Sequence, residues 1–428
     1  MNERRYRSEW SPDSVRSFPP VRVAERSLSV VFTQTASAAL FVFLVICVFD
    51  PVNTITGMKT TTFVVLWLIT LTRLVMEPDS RARLPEWFVV YVSFFIAIPT
   101  LSVIWYFIHD GSAPFDGLSY MKAYLLLSLA LILRINRIDL VPMLSGVLVP
   151  LAVAILVMFF SILIFPGLYN FLKPIGLVNG LFLLDWRSYG PLMLLQAFFV
   201  TSPMLVIPIA YYFDRAMSSD RKPLFFTLCA VCVAGMIAAG SRNNIFTAIL
   251  LPAVLWPLYT KRPTIYYALS ACVIGLMALA FLDQLRLLLD PKEFGNSVRL
   301  GLLTDYKRIF DDPYTLFVGR GLGAYEVWTN RPFRSFSELT YLDLIRYFGM
   351  PAGFVMVGLL VAPVALLWTA GTENRVLAIA WGSFLVMSFS NPLIFSSVGI
   401  VVLTAVLARV EADVILDRVL LYIDERRR

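Results

Sequence analysis

A chain of 428 residues that is 58% hydrophobic and 15% charged is not a soluble domain, in which about a quarter of the residues carry charge. Its net charge of +7 does not mark a nucleic-acid binder, because the cations cluster between apolar runs near the roughly 20 residues needed to cross a bilayer. The composition implies an all-α polytopic membrane protein, with anionic lipid and no nucleic acid as partner.

In chain order, residues 1–27 are polar and hold Arg4, Arg5, Arg7, Arg16, Arg22 and Arg26. They are too long for a simple signal-peptide n-region, and no small-residue cleavage site follows; they read as a cytoplasmic tail ahead of a retained first span. Apolar runs predict nine spans over 28–282, at about 28–49, 60–76, 86–108, 118–133, 144–166, 188–213, 223–239, 243–260 and 264–282. A polar segment, 283–349, follows. Three more spans are expected over 350–409, at about 350–369, 376–390 and 393–409, and residues 410–428 form a second cytoplasmic tail.

With the amino terminus inside, the inside segments hold Arg73, Arg81, Arg83, Arg134, Arg137, Arg215, Arg221, Lys222, Lys261, Arg262, Arg375, Arg418 and Arg426 to Arg428. The short outside loops hold only Lys59, Lys173, Arg187 and Arg242, with Lys122 at a span edge. This asymmetry, with twelve spans, places both termini inside. The long segment 283–349 is then one large outside loop with short helices. Long translocated loops are exempt from the positive-inside count, so its nine cations need another explanation.

Cys47, Cys229, Cys232 and Cys272 all fall within apolar runs, so the Cys229–Cys232 spacing reads as helix packing rather than redox or metal chemistry. The sole histidine, His109, sits at the outer end of the third span and reads as structural.

The stretches that can carry chemistry lie on the outer side. "DWRSYGP", Asp185 to Pro191, precedes span six; Arg187 there is either an interfacial anchor or an anion ligand. "GSRNN", Gly240 to Asn244, is a tight turn with Arg242 at a helix start, either snorkelling to headgroups or adding its donors to free backbone N–H groups. "RIFDDPYTLFVGRGLGAY", Arg308 to Tyr325, has alternate glycines. No strand precedes them and no ribose-binding acid follows, which removes a dinucleotide fold. Gly319 and Gly321 then form either a flexible turn or a nest approached by a bulky ligand. In "RSFSELTYLDLIRYFGMPAG", Arg334 to Gly353, Ser335 and Glu338 fit a capping box. Tyr341, Leu342 and Ile345 would share a face with Glu338, Asp343 and Arg346 are spaced to pair, and Gly349-Met350-Pro351 ends the helix and begins span ten.

In their order and shared outer location, these pieces resemble the O-antigen ligase/Wzy polymerase superfamily of bacterial envelope polysaccharide enzymes. The matching residues are Arg187 with Gly190, Gly240-Ser241-Arg242, Arg308 followed by Gly319 and Gly321, and Glu338-Leu339-Thr340-Tyr341-Leu342 running to Gly349. The resemblance covers residues 180 to 370 in motif and the whole chain in topology. It implies a GT-C-like helical fold in the bacterial inner membrane with its active site facing the periplasm. The implied reaction transfers a growing glycan from an undecaprenyl-diphosphate-linked donor to a lipid-linked acceptor, without cofactor or metal, with a chain-length regulator and a flippase as expected partners. On this reading Arg242, Arg308 and Arg187 clamp the diphosphate, Arg320 and Arg334 support them, Glu338 accepts a proton from the acceptor hydroxyl or positions it, and Tyr341, Gly319 and Gly321 contact substrate.

One departure matters: ligases of this superfamily are similar in having a histidine where this chain has Glu338 or its neighbour, which favours polymerase over ligase. A ligase that moves finished glycan to another acceptor, and a lipid-linked glycan transporter, are the alternatives. A transporter would carry ionisable groups at mid-membrane, whereas these charges gather outside.

Overall fold

The computed structural model describes residues 21–410 except 79, 81–83, 111–114, 190–191, 329–330, 335–336, 370 and 390; between 261 and 293 it describes only 264–265, 268, 271–272 and 275. The tails 1–20 and 411–428, most of expected span nine, Gly190 and Ser335 therefore lie outside the described residues.

The described chain is predominantly helical. Six helices are long and apolar enough to cross a membrane: Ser29–Phe49 within α1 (Val21–Phe49), Lys59–Met76 (α2), Glu86–His109 within α3 (Glu86–Asp110), Gly117–Asn136, Leu140–Ile164 (α6) and Thr340–Trp368 (α13). Each coincides with an expected span to within a few residues, apart from the early start of the last. The fourth is assembled from α4 (Phe115–Leu125), a 3-10 turn and α5 (Leu129–Asn136). Four further expected spans are shorter helices: α9 (Lys222–Ala238), α10 (Arg242–Leu255), α14 (Thr372–Ser388) and α15 (Ser397–Ala408).

Expected span six, 188–213, is not one helix. It divides into the end of a hairpin, β1 (Phe182–Tyr189) with β2 (Leu192–Phe199), a 3-10 turn and α8 (Val206–Ser218). The all-α expectation gives way here. A short apolar run such as Leu192–Phe199 fits a buried helix or a strand equally by periodicity; the pairing with β1 decides. Phe182, Leu184, Leu195 and Ala197 bury one face, and the Phe182 and Phe199 rings lie 5.2 Å apart. Gly176, on α7 (Gly167–Asn179), lets that helix lie on β1, because a β-carbon there would fall 2.3 Å from the Phe182 ring.

At the centre are α8 and α15, whose residues from Val398 to Leu407 are all buried. Small residues permit close crossings: a β-carbon on Gly235 of α9 would stand 2.9 Å from Cα of Ala152 on α6, the kind of contact that lets apolar helices pack in lipid. Two cations expected in loops are instead buried ties. Arg73 of α2 donates to Thr33 at 3.0 Å, Asn136 at 3.1 Å and Ser29 at 2.8 Å, and pairs with Glu77 at 3.0 Å. Lys59 donates to Ser397 at 3.0 Å and to the Pro51 carbonyl.

Hydrogen bonds sort the helix ends into two groups. At one end Thr201 meets the Val48 carbonyl, Lys59 meets Ser397, Asn243 meets the Met387 carbonyl and Ser102 meets the Tyr347 carbonyl. At the other, Arg409 pairs with Asp139 and Glu373, and Arg215 with Glu373. The polar segment 294–339 belongs to the first end. It contains α11 (Phe294–Phe310), α12 (Pro313–Phe317) and a second hairpin, β3 (Glu326–Trp328) with β4 (Arg331–Arg334).

That segment is tied to α13 by Asp343 and Arg346, both wholly buried. Arg346 bonds to Asp343 Oδ1 through Nε at 3.0 Å and Nη2 at 2.9 Å, and to the Ala324 carbonyl at 2.8 Å, with its guanidinium over Trp328 and Tyr347. Tyr306 of α11 donates to the same Oδ1 at 2.7 Å, and Ser337 donates to Oδ2 from its backbone N–H at 2.8 Å and its hydroxyl at 3.0 Å. Burial first, then the Asp343 carboxylate, pushes the Tyr306 phenol well above its ordinary range, so it stays a donor.

Removing one partner leaves a buried charge unpaired, which costs about 3–5 kcal/mol. Arg346→Ala is therefore expected to lower thermal stability and expose 294–339 to protease, while Asp343→Leu with Arg346→Met recovers much of the loss. Unfolding and limited proteolysis of the purified variants in detergent check both.

Candidate functional site

The site is built around the C-terminal end of α14. Gly240, with φ 70°, turns the chain from α9 into α10. The turn lies directly on β2: a β-carbon there would sit 2.8 Å from Cα of Gln196. Arg242 is then the first residue of α10, with Ser241 as its extended N-cap. The next two side chains lock it in place. Asn243 reaches the Met387 carbonyl at 3.4 Å, and buried Asn244 donates to Ser202 at 3.0 Å.

Arg187 is exposed on β1 opposite Leu194, two residues beyond Asp185, which is opposite Gln196. Residues i and i+2 of a strand, and directly opposed partners, share a face. Arg187 is thus on the face of the hairpin that meets the Gly240 turn through Gln196. The structure brings these two motifs, more than fifty residues apart, onto one wall.

The start of α13 packs on another side of the same helix end. Tyr341 donates its hydroxyl to the Leu385 carbonyl at 2.8 Å and packs its ring on Phe389 at 5.8 Å, while Thr340 donates to the Asn391 carbonyl at 2.7 Å. The end of α14 therefore holds Asn243 on one side and Tyr341 on the other. Tyr341 is partly buried, and both its hydroxyl and its ring are engaged by the end of α14.

Glu338 is not the N3 residue of a capping box. The helix begins at Thr340, its N-cap is Leu339, and Glu338 precedes both. It therefore does not share a helical face with Tyr341. Asp343 reaches back to the Ser337 N–H in place of the expected cap, and the Glu338 carboxylate stands 3.8 Å from Arg299 of α11. Arg299 is one of the nine cations of segment 283–349, and no local spacing connects it to Glu338, thirty-nine residues on.

Arg308 lies in the last turn of α11, with its side chain 64% exposed, and pairs with buried Asp305 at 3.6 Å. Nine residues separate it from Arg299, about half a turn out of phase at 3.6 residues per turn, so the two project from opposite flanks of α11. Arg299, not Arg308, faces Glu338.

Gly319 and Gly321 have φ 83° and 91°, yet their open faces are already occupied. A β-carbon on Gly319 would come 2.4 Å from the Gly349 amide, and one on Gly321 would come 2.5 Å from Cβ of Tyr106. Arg320 and Gly321 donate their N–H groups to the carbonyls of Arg346 at 2.8 Å and Tyr347 at 3.0 Å. Gly349, φ 74° and ψ 164°, breaks α13 at that point, as Gly349-Met350-Pro351 implied. Those carbonyls, freed by the break, take the loop's N–H groups. The glycines thus serve backbone packing against the kink and α3, not a ligand nest.

Arg320 is likewise committed, to Thr315 at 3.1 Å and to Glu326. Arg334 is in β4, paired across to Glu326. His109 stacks on Trp105 at 5.8 Å and meets Tyr314 tilted at 5.7 Å, the three rings forming one cluster.

A packing role and a ligand role for Gly319 separate experimentally. Gly319→Ala is expected to lower the melting temperature by the equivalent of about 2 kcal/mol or more, because it combines overpacking with a left-handed backbone. Thermal melts in detergent check this; an unchanged melt with weakened substrate binding would return the glycine to the ligand site.

Comparison of the chain with protein-family models, curated proteins and solved structures finds no match, so its function is argued from the residues gathered at this end of the bundle.

Proposed function

We propose that the chain is a glycosyltransferase that polymerises undecaprenyl-diphosphate-linked oligosaccharide repeat units at the periplasmic face of a bacterial inner membrane. One observation carries this reading: Arg242 and Tyr341, with Glu338 three residues before Tyr341, collect around the end of α14, at the bundle end that bears the polar segment 294–339 and beside apolar helices. A substrate with a membrane-embedded tail, an anionic linker and a polar glycan needs those three surroundings in that order. Two of the proposed polymerase motifs, Gly240-Ser241-Arg242 and Glu338 to Leu342, supply them, with Arg187 on the adjoining hairpin.

The donor's anomeric carbon–oxygen bond to phosphate breaks, the acceptor hydroxyl forms the new glycosidic bond, and the hydroxyl proton leaves. The departing lipid diphosphate gains charge as that bond breaks. Arg242, at the positive end of α10, and Arg187, on the adjoining hairpin face, are placed to bind its oxygens; guanidinium forks match phosphate bidentately, and such preorganised charge is often the largest catalytic contribution. Arg308, exposed on the flank of α11 opposite Arg299, stands apart from these groups. Glu338 orients the acceptor hydroxyl or takes its proton, and Arg299 holds the carboxylate in place. Tyr341 lines the acceptor side. Arg320, Gly319 and Gly321 act one step back, by fixing the loop to α13.

In cells, Arg242→Ala is expected to leave folded, membrane-inserted protein with glycans of a single repeat unit, whereas Arg308→Ala, on the flank away from Glu338, is expected to retain long chains. For Arg242→Ala the polymerised product should fall by about 10²-fold, as for loss of one charge-stabilising donor. Gel profiles of extracted glycans check this. Normal long chains in Arg242→Ala would sink the reading, whereas long chains stranded on the lipid carrier would identify a ligase. Glu338→Gln separates base from positioning group, because the amide still donates and accepts but cannot take a proton at neutral pH. A base loses activity on that change, whereas a positioning group retains much of it.

A further inference from the structure

A groove of about 550 Å³ runs between α10 and α14, within the roughly 300–1,000 Å³ usual for small-molecule sites. Its lining starts at Asn243 and Met387, where the two helices are hydrogen-bonded beside the Gly240 turn, and ends near Val254 and Ile379. From Asn243 to Val254 is eleven residues, or about 16 Å of helix. Every lining residue is uncharged, and beyond Asn243 the wall is Phe246, Thr247, Val254, Ser383, Val386 and their apolar neighbours.

The groove is open because small residues face it on α14. Gly382 lines it, and a β-carbon built there meets nothing within 4 Å. A guest must therefore be apolar along most of its length. At the mouth, the residue next to Asn243 is Arg242, so the guest's head is anionic.

We infer that the α10–α14 groove binds the hydrocarbon tail of a polyprenyl diphosphate and delivers its head to Arg242. The diphosphate head rests on the proposed polymerase reading; the apolar tail path follows from the groove itself. The groove connects the bilayer to the site without passing through the tightly packed glycine contacts at 319–321. It gives Gly382 a role that no motif suggested: its missing side chain keeps the tail path clear.

The test uses purified full-length protein in phosphatidylcholine vesicles with a polyprenyl diphosphate that carries a benzophenone on its tail and no sugar. Photolabelling is expected to fall on 242–255 and 372–388 and to be competed by undecaprenyl diphosphate. Gly382→Phe should reduce it at least about tenfold, since the ring enters open space and a non-glycine residue favours the helix. Gly358→Phe, at another helical glycine whose β-carbon meets nothing and which does not line the groove, should leave labelling intact. Melting curves show that both variants fold.

Labelling spread over all the helices, labelling unaffected by Gly382→Phe, or equal competition by added phosphatidylglycerol would overturn the inference. Because the probe carries no glycan, groove labelling in a protein that forms no polymer would retain the lipid path and refute the polymerase instead.

Discussion

The buried pair Asp343–Arg346 is the contact on which the polar end of this protein depends. Two opposite charges in a low-dielectric interior are costly unless every remaining donor and acceptor is matched. Here Asp343 takes Arg346, Tyr306 and Ser337, while Arg346 also reaches the Ala324 carbonyl and lies over two aromatic rings. These partners come from α11, the segment before β3, β3 itself and the approach to α13. A network satisfied from so many directions has few alternative arrangements, so it places Arg299 and the residues around Glu338 in one geometry at the mouth of the helical bundle.

The glycine contacts extend this placement into the helices. Gly349 breaks α13, which frees the carbonyls of Arg346 and Tyr347; the N–H groups of Arg320 and Gly321 fill them, and Ser102 of α3 closes the junction by donating to Tyr347 and accepting from Leu322. Loop, kink and α3 thus meet at backbone distance, where any side chain would intrude. Residues that look like ligand-binding glycines in one dimension are the seam between the loop and the bundle in three.

Much of the architecture was legible in the residues. Six long helices match their apolar runs because burial of backbone polar groups in lipid leaves a helix as the local solution, and length alone then identifies it. The pairing of Asp343 with Arg346 and the break at Gly349-Met350-Pro351 were also readable, since each is settled within one or two turns. The hairpin 182–199 was not, because its apolar second strand has no helical or alternating signature of its own. The capping box failed for a related reason: Ser335 and Glu338 have the right spacing, but the more distant Asp343 takes the Ser337 N–H instead and the helix starts later.

What the sequence by itself determined is therefore what near neighbours decide: a helical chain with long apolar, membrane-spanning helices and a polar segment late in it; its arginines, Glu338 and Tyr341 stand there only as candidates. Only the tertiary structure decided which of these residues meet. It joined Glu338 to Arg299, set Arg187 and Arg242 on one wall through Gln196, turned Arg308 to the opposite flank of α11, withdrew Gly319, Gly321 and Arg320 into packing, and opened the groove at Gly382. The physical reason is range: secondary structure is governed by periodicity over a few residues, whereas a site is a set of contacts between elements whose separation along the chain carries no trace of their separation in space.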